Sequence, residues 1–296
     1  MLAWKARAET LVELPEVFVL RTRMFKALAA TSVAAALGLV GLGHARAGQN
    51  VHILVFMENG VGSASQAQPF LDKLIEVAKK ANGWDSADGK YVTKRSAAKE
   101  YISSSKPQYG ILSLGAFLAM RNDNGLKVIG TAEVDTAGGR KYHIISKNAG
   151  DVAGCKGKTL ASNHFGDKTF IDNVVADGAF KTGDFTLVET TRPVQTIKKV
   201  VSGDAECALI DNAQLDELGH LEGGSSIKTV WSSAKLPAPA VVAFSSAPDA
   251  ERAKFKASLG SLCTGDGKSH CDKVGITSIR EADESSYKSV IAKYGK

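Results

Sequence analysis

The sequence predicts an α/β fold with mostly parallel sheets, and three observations lead there. Short apolar runs alternate with amphipathic segments along residues 51–296, the pattern of strands wrapped by helices. The runs are bounded by Gly, Pro and polar residues, which keeps them strand-sized. Two of them, around Leu160 and at 207–211, each end in a polar loop that opens a helix. In open α/β sheets ligands gather at such strand ends.

The elements follow in order. Residues 51–56 form the first apolar strand, and 58–68, with Gly60 and Gly62, a polar loop. Pro69 then starts a helix, where a missing N–H costs little. Phe70, Leu71, Leu74, Ile75 and Ala78 make its apolar face, and Asp72, Lys73, Glu76, Lys79 and Lys80 its wet face. Lys80-Ala81-Asn82-Gly83 stops it. A short helix at 97–104 precedes Pro107, and strands follow at 109–114, 126–134 and 142–146. Ala137-Gly138-Gly139 makes the turn between the last two. A helix begins at 170–175, a strand covers 185–189, a helix 194–201, a strand 207–211, and a helix runs to about Leu218. Strands at 227–231 and 240–244 flank a stretch made rigid by Pro237 and Pro239. Pro248-Asp249 opens a helix with the stripe Phe255, Leu259 and Leu262, and a last helix covers 285–294.

The N-terminus sets the compartment. Arg21, Arg23 and Lys26 precede an uncharged stretch at 27–43, and Ala45-Arg46-Ala47 follows. That is a secretory signal peptide with cleavage after Ala47; Met24 is the expected start, and 1–23 an upstream extension. Export carries the mature protein out of the cytoplasm, and the resemblance given below implies the periplasm. The whole chain has 37 Lys and Arg against 31 Asp and Glu. Removing 1–47 takes six basic and three acidic residues with it. The mild remaining charge, with no basic tract interleaved with aromatics, argues against a nucleic-acid partner. A monomer is expected.

Four cysteines in an exported chain permit disulfides in three connectivities. A polar turn containing Gly265 and Gly267 separates Cys263 from Cys271, which predicts a local bridge. Cys155 then pairs with Cys207. The rival reading, a metal held by Cys263, His270 and Cys271, suffers from the adjacency of His270 and Cys271. No metal and no cofactor are expected.

Catalytic motifs are missing. Gly157-Lys158-Thr159 has Val152 where a phosphate-binding loop needs glycine. Gly60-Val61-Gly62 has Ser65 where a dinucleotide fingerprint needs its third glycine. Ser113 is no nucleophile elbow, since Ile111 stands two residues before it. No H-e-x-x-H spacing occurs among the histidines. His52 and His143 alternate within strands and read as satisfied, partly buried residues. His164 lies in a loop after a core strand. Asp211 ends a strand and either caps the next helix or faces a ligand.

Pro69-Phe70-Leu71-Asp72-Lys73-Leu74, Gln108-Tyr109-Gly110-Ile111-Leu112-Ser113, the segment 152–161, the segment 233–239, and Val274-Gly275-Ile276 with Tyr287 together resemble, in order and spacing, the type 2 periplasmic substrate-binding proteins, in particular the phosphonate-type receptors of ABC transporters. The resemblance implies two lobes joined by two crossovers: 48–148 and 236–296 in lobe one, 149–235 in lobe two. It implies a receptor rather than an enzyme, which binds a small polar, phosphonate- or phosphate-like solute between the lobes and presents it to an inner-membrane permease. In that family a run of serines and threonines stands at 162–169. This chain keeps Ser162 and Thr169 but interposes Asn163, His164 and Asp167, and Asp167 would repel an anion unless it points away or caps the helix. Ligand contacts are expected from Glu58, Asn59, Ser63, Ser113, Ser162, Asn163 and His164, which follow the carboxyl ends of strands, with Thr169 and Asp211. The alternatives are an exported α/β enzyme with dispersed site residues, and a sensor or scaffold with a degenerate cleft.

Overall fold

The computed structural model describes residues 49–60, 63–134 and 138–296. The expected export segment and its cleavage point after Ala47 lie outside the described residues, as do Val61, Gly62 and Ala137.

The first sheet is built from β1 (Asn50–Phe56), β2 (Ser86–Val92), β3 (Tyr109–Leu112) and β4 (Lys127–Val134), with α1 (Ala64–Asn82), α2 (Arg95–Ser105) and α3 (Leu114–Met120) between them. The chain then crosses to a second sheet. Its elements are β5 (Tyr142–Ser146), β6 (Thr159–Ser162), α4 (Lys168–Phe170, continued by a π turn at Ile171–Val175), β7 (Thr186–Glu189), α5 (Pro193–Val201), β8 (Cys207–Asp211), α6 (Asn212–Leu218) and β9 (Lys228–Ser232). It returns through β10 (Ala240–Ala243), α7 (Asp249–Ser258), α8 (Lys268–Lys273), β11 (Ile276–Glu281) and α9 (Lys288–Tyr294). The strand orders are β11-β4-β10-β3-β1-β2 and β7-β6-β8-β5-β9.

Three expectations need correction. The strand at 142–146, which the expected 148/149 boundary assigns to lobe one, pairs as β5 with β8 and β9 in the second sheet. The sheets are mixed rather than mostly parallel: four ladders are parallel and five antiparallel among the described residues. Both follow from the double crossover. A chain that leaves one sheet at the carboxyl ends of its strands enters the next from that same side. So β5 and β10 run against their neighbours. Thirdly, α1 starts at Ala64 and holds Pro69 inside it. The Ser63 hydroxyl accepts from Gln66 N at 3.2 Å and caps this earlier start. Gln68 makes the added turn useful: its amide donates to Gly89 O at 2.9 Å and accepts from Tyr91 N at 2.9 Å. Those are backbone groups of β2, the edge strand.

The unbroken apolar runs make sense because both sheet faces are covered. In β1, Leu54 and Phe56 point into one cluster while Val51, Ile53 and Val55 point into another. In β8, Cys207 and Leu209 join the cluster shared by both sheets, and Ala208 and Ile210 join one private to the second sheet. Cys155 bonds Cys207 and Cys263 bonds Cys271, with Cα separations of 6.0 and 5.6 Å. The pairing is the one the spacing predicts. The two crossovers are tied together: Leu236 N donates to Arg140 O at 2.8 Å, and Arg140 Nε donates to Leu236 O at 3.0 Å.

Candidate functional site

Strand ends from both sheets converge on one cavity, of about 520 Å³ counted out to its mouth. The loop after β1 supplies Met57, Glu58 and Asn59, and the end of β3 supplies Ser113, Leu114 and Gly115. The first crossover brings Gly138 and Gly139, with Tyr142 just inside β5. Across the gap stand His164, Asp167 and Phe170 from the loop after β6, and Asp211 from the end of β8.

Each side chain is placed by local chemistry. Ser113 Oγ accepts from Glu58 N at 3.2 Å, which leaves its O–H free to donate. Asp211 caps α6 by accepting from Gln214 N at 3.0 Å, and also accepts from Gly139 N at 3.2 Å. It takes the capping role open to it from sequence, and it also lines the cavity. A Cβ at Gly138, whose φ is +80°, would collide with the Asp211 carboxylate, so glycine is needed on both counts. Asp167 caps α4 through Phe170 N at 2.9 Å.

A buried network fixes the histidine. Gln214 Oε1 accepts from Asp211 N at 3.1 Å, so its amide nitrogen faces the other way and donates to Asn163 Oδ1 at 3.0 Å and Pro193 O at 3.1 Å. The 2.8 Å contact between His164 Nε2 and Gln214 Oε1 then requires the proton on Nε2. The imidazole sits edge-on to Tyr142, with ring centres 5.2 Å apart.

An ionic chain joins the two sides. Arg95, the first residue of α2, donates two hydrogen bonds of 2.7 Å to the Glu58 carboxylate. It reaches Asp167 at 3.3 Å. The Tyr294 hydroxyl of α9 donates to the same Asp167 oxygen at 3.0 Å, and burial with that carboxylate pushes its phenol up to about 12. Burial raises the Asp211 carboxyl above the ordinary range, opposed first by His164. Tyr142 is raised well above 10 by burial and then by Asp211, Glu58 and Asp167.

The structure brings together Glu58, Asn59, Ser113, His164 and Asp211 as expected contributors, and places the other four elsewhere. Ser63 is exposed and caps α1. Ser162 is fully buried, donating to Leu209 O at 2.7 Å and accepting from His164 N at 3.1 Å. Asn163 Oδ1 is taken by Thr196 and Gln214. Thr169 points outward. The loop is short, so its first residues still belong to the sheet and turn into the lobe. Tyr142, Phe170 and the crossover glycines went unread. Tyr142 begins a strand, and a search of strand ends passes over it.

A polar cavity walled by two α/β sheets, each sending its strand ends into it, defines a two-lobed solute-binding protein. More closely, the chain belongs to the periplasmic substrate-binding proteins of phosphonate ABC transporters: residues 57–287 match the family described as "ABC transporter, phosphonate, periplasmic substrate-binding protein". A search of curated proteins finds no match. Among solved structures, PhnD1 from Prochlorococcus marinus in complex with methylphosphonate is 12% identical, with TM-score 0.62 over 83% of this chain and 97% of that one. A binding protein component of an ABC phosphonate transporter from Pseudomonas aeruginosa is 10% identical, with TM-score 0.61 over 82% and 84%. The periplasmic aliphatic sulphonate binding protein SsuA from Escherichia coli is 12% identical, with TM-score 0.53 over 83% and 78%. At such identities these are likenesses of fold.

Proposed function

We propose that this protein is an exported receptor that captures a small polar solute in the cavity between its lobes and delivers it to an ABC permease without chemical change. One lobe is read as 50–134 with 240–294, the other as 142–232. The observation that carries the reading is that walls of one polar cavity come from both sheets, across two crossovers. A solute touching Ser113 and Glu58 on one side and His164 and Asp211 on the other favours the closed arrangement, and that differential affinity is the mechanism. Ser113 Oγ, the Tyr142 hydroxyl, His164 and Asp211 are the proposed contacts.

Export accounts for the two disulfides, and the mature chain is expected to begin at Gly48. The test is calorimetry and thermal shift on the mature protein with small polar solutes. Saturable one-to-one binding that Ser113→Ala weakens, with the solute recovered unchanged, supports a receptor. Turnover of the solute, or an exported chain that retains 27–43 by mass, overturns it.

A further inference from the structure

We infer that Arg95 is the residue that admits an oxyanion to this cavity, and that it does so fully only when the lobes meet; this rests on the cavity being the receptor's solute site. The described residues that line it include three carboxylates, Glu58, Asp167 and Asp211, and neither Lys nor Arg. An oxyanion meets like charges there, and they repel it more strongly as water is excluded. Asp211 already receives two backbone N–H groups, those of Gln214 and Gly139. Glu58 and Asp167 depend on a cation, and the one that reaches them stands behind the wall.

Arg95 serves both. Its Nε and Nη2 each donate to the Glu58 carboxylate at 2.7 Å, and Nη2 also reaches Asp167 at 3.3 Å. The two-pronged bond fixes the plane of the guanidinium. The bond to Glu58 raises its basicity above the ordinary arginine value, against the burial that lowers it, so the positive charge stays in place. The two carboxylates differ in which lobe carries them. Glu58 follows β1 and Arg95 opens α2, so that pair lies within one lobe and survives any movement of the other. Asp167 caps α4 in the second lobe. It takes Arg95 and the Tyr294 hydroxyl, 3.0 Å away, from across the gap. Parting the lobes strips Asp167 of both partners and leaves its charge on the solute's path. Closing restores them. An oxyanion in the cavity therefore favours the closed arrangement by more than the contacts it makes itself, because solute and ion pair share a coupling free energy. Arg95 acts on the solute through Glu58 and Asp167 and is a positioning residue.

The test is calorimetry on the mature, disulfide-bonded protein with methylphosphonate, phosphate and sulfate. At least one of these is expected to bind the wild type one-to-one. Arg95→Gln weakens that binding by about tenfold or more, and Arg95→Lys, which keeps the charge without the fork, weakens it less. Adding Asp167→Asn to Arg95→Gln recovers several-fold, because the unpaired carboxylate is gone while the Asn side-chain oxygen can still accept from Phe170 N. A residue with only a packing role gives no such recovery. Equal affinity in Arg95→Gln and the wild type overturns the inference and leaves the receptor reading standing. A double variant that binds no better than Arg95→Gln does the same. If none of the three probes binds the wild type at millimolar concentration, the cavity is not an oxyanion site and the role of Arg95 falls with it.

Discussion

Asn163 has no face on the cavity, yet it decides how His164 is presented. Its Oδ1 accepts from Gln214 Nε2 and from Thr196 Oγ1, and Gln214 in turn holds the imidazole. Asn163→Ala should therefore cost stability, on the order of 1–3 kcal/mol for buried donors left unpaired, as read from urea denaturation. Any loss of solute affinity would come through a displaced His164. His143 supplies a pH signal of its own. It is buried, its Nδ1 lies 2.8 Å from Ser232 Oγ, and burial followed by the charge of Lys141 lowers it below its ordinary 6.5. On acidification the unfolded chain takes that proton first. The contribution is complete above 6.5 and is lost as pH falls through the depressed folded value. His143→Gln, which can still bond Ser232, should flatten the stability profile below pH 6.5 relative to wild type; identical profiles would rule His143 out as the source. At this scale the place of Glu58, Ser113 and Asp211 on the cavity wall was legible because they stand at the carboxyl ends of strands. Ser162 and Asn163 misled because the same rule does not say which way a buried side chain turns.

At the scale of elements, the strap formed by α9 is the feature no periodicity announces. Lys293 pairs with Asp177 at 2.7 Å and Tyr294 bonds Asp167, so a helix at the end of the chain grips the second lobe beside the cavity mouth. Tyr294→Phe removes one hydrogen bond, worth about 1 kcal/mol. The expected outcome is faster solute release in stopped-flow measurements with little change in midpoint. An unaltered release rate would show that the Tyr294–Asp167 bond does not hold the solute in. The helix α1 offers a plainer test: Ser63→Ala should lower stability by about 1 kcal/mol through the lost cap, without touching affinity. Strands β1, β3, β8 and β10 were readable as apolar runs. β2 was not, because its sequence, Ser-Ala-Asp-Gly-Lys-Tyr-Val, is that of an edge strand with one exposed border. β11 was missed for a similar reason, carrying apolar residues only at Ile276 and Ile279.

For the molecule as a whole, the disulfides differ in reach. Cys155–Cys207 closes a span of 52 residues and Cys263–Cys271 one of 8. Loop-closure entropy assigns about 4 kcal/mol to the first and about 2.5 kcal/mol to the second. Replacing each pair by serine and measuring equilibrium denaturation should reproduce that order. A larger loss from the short loop would show that native packing around Cys271, not chain entropy, sets the effect. The fold class was legible from alternation, whereas strand direction was not. Direction depends on which side the chain enters a sheet, and that is decided by the crossovers rather than by any strand's own residues.

The reciprocal bonds between Arg140 and Leu236 have a mechanical reading. Two separate ribbons joining two plates allow them to shear and twist as well as fold. Ribbons sewn side by side suppress the first two motions and leave one axis of bending. On the proposed receptor reading, the lobes would then open and close along a single arc. Hydrogen exchange at the Leu236 amide should accordingly stay slow both with and without solute, while amides on either side of the seam change their rates.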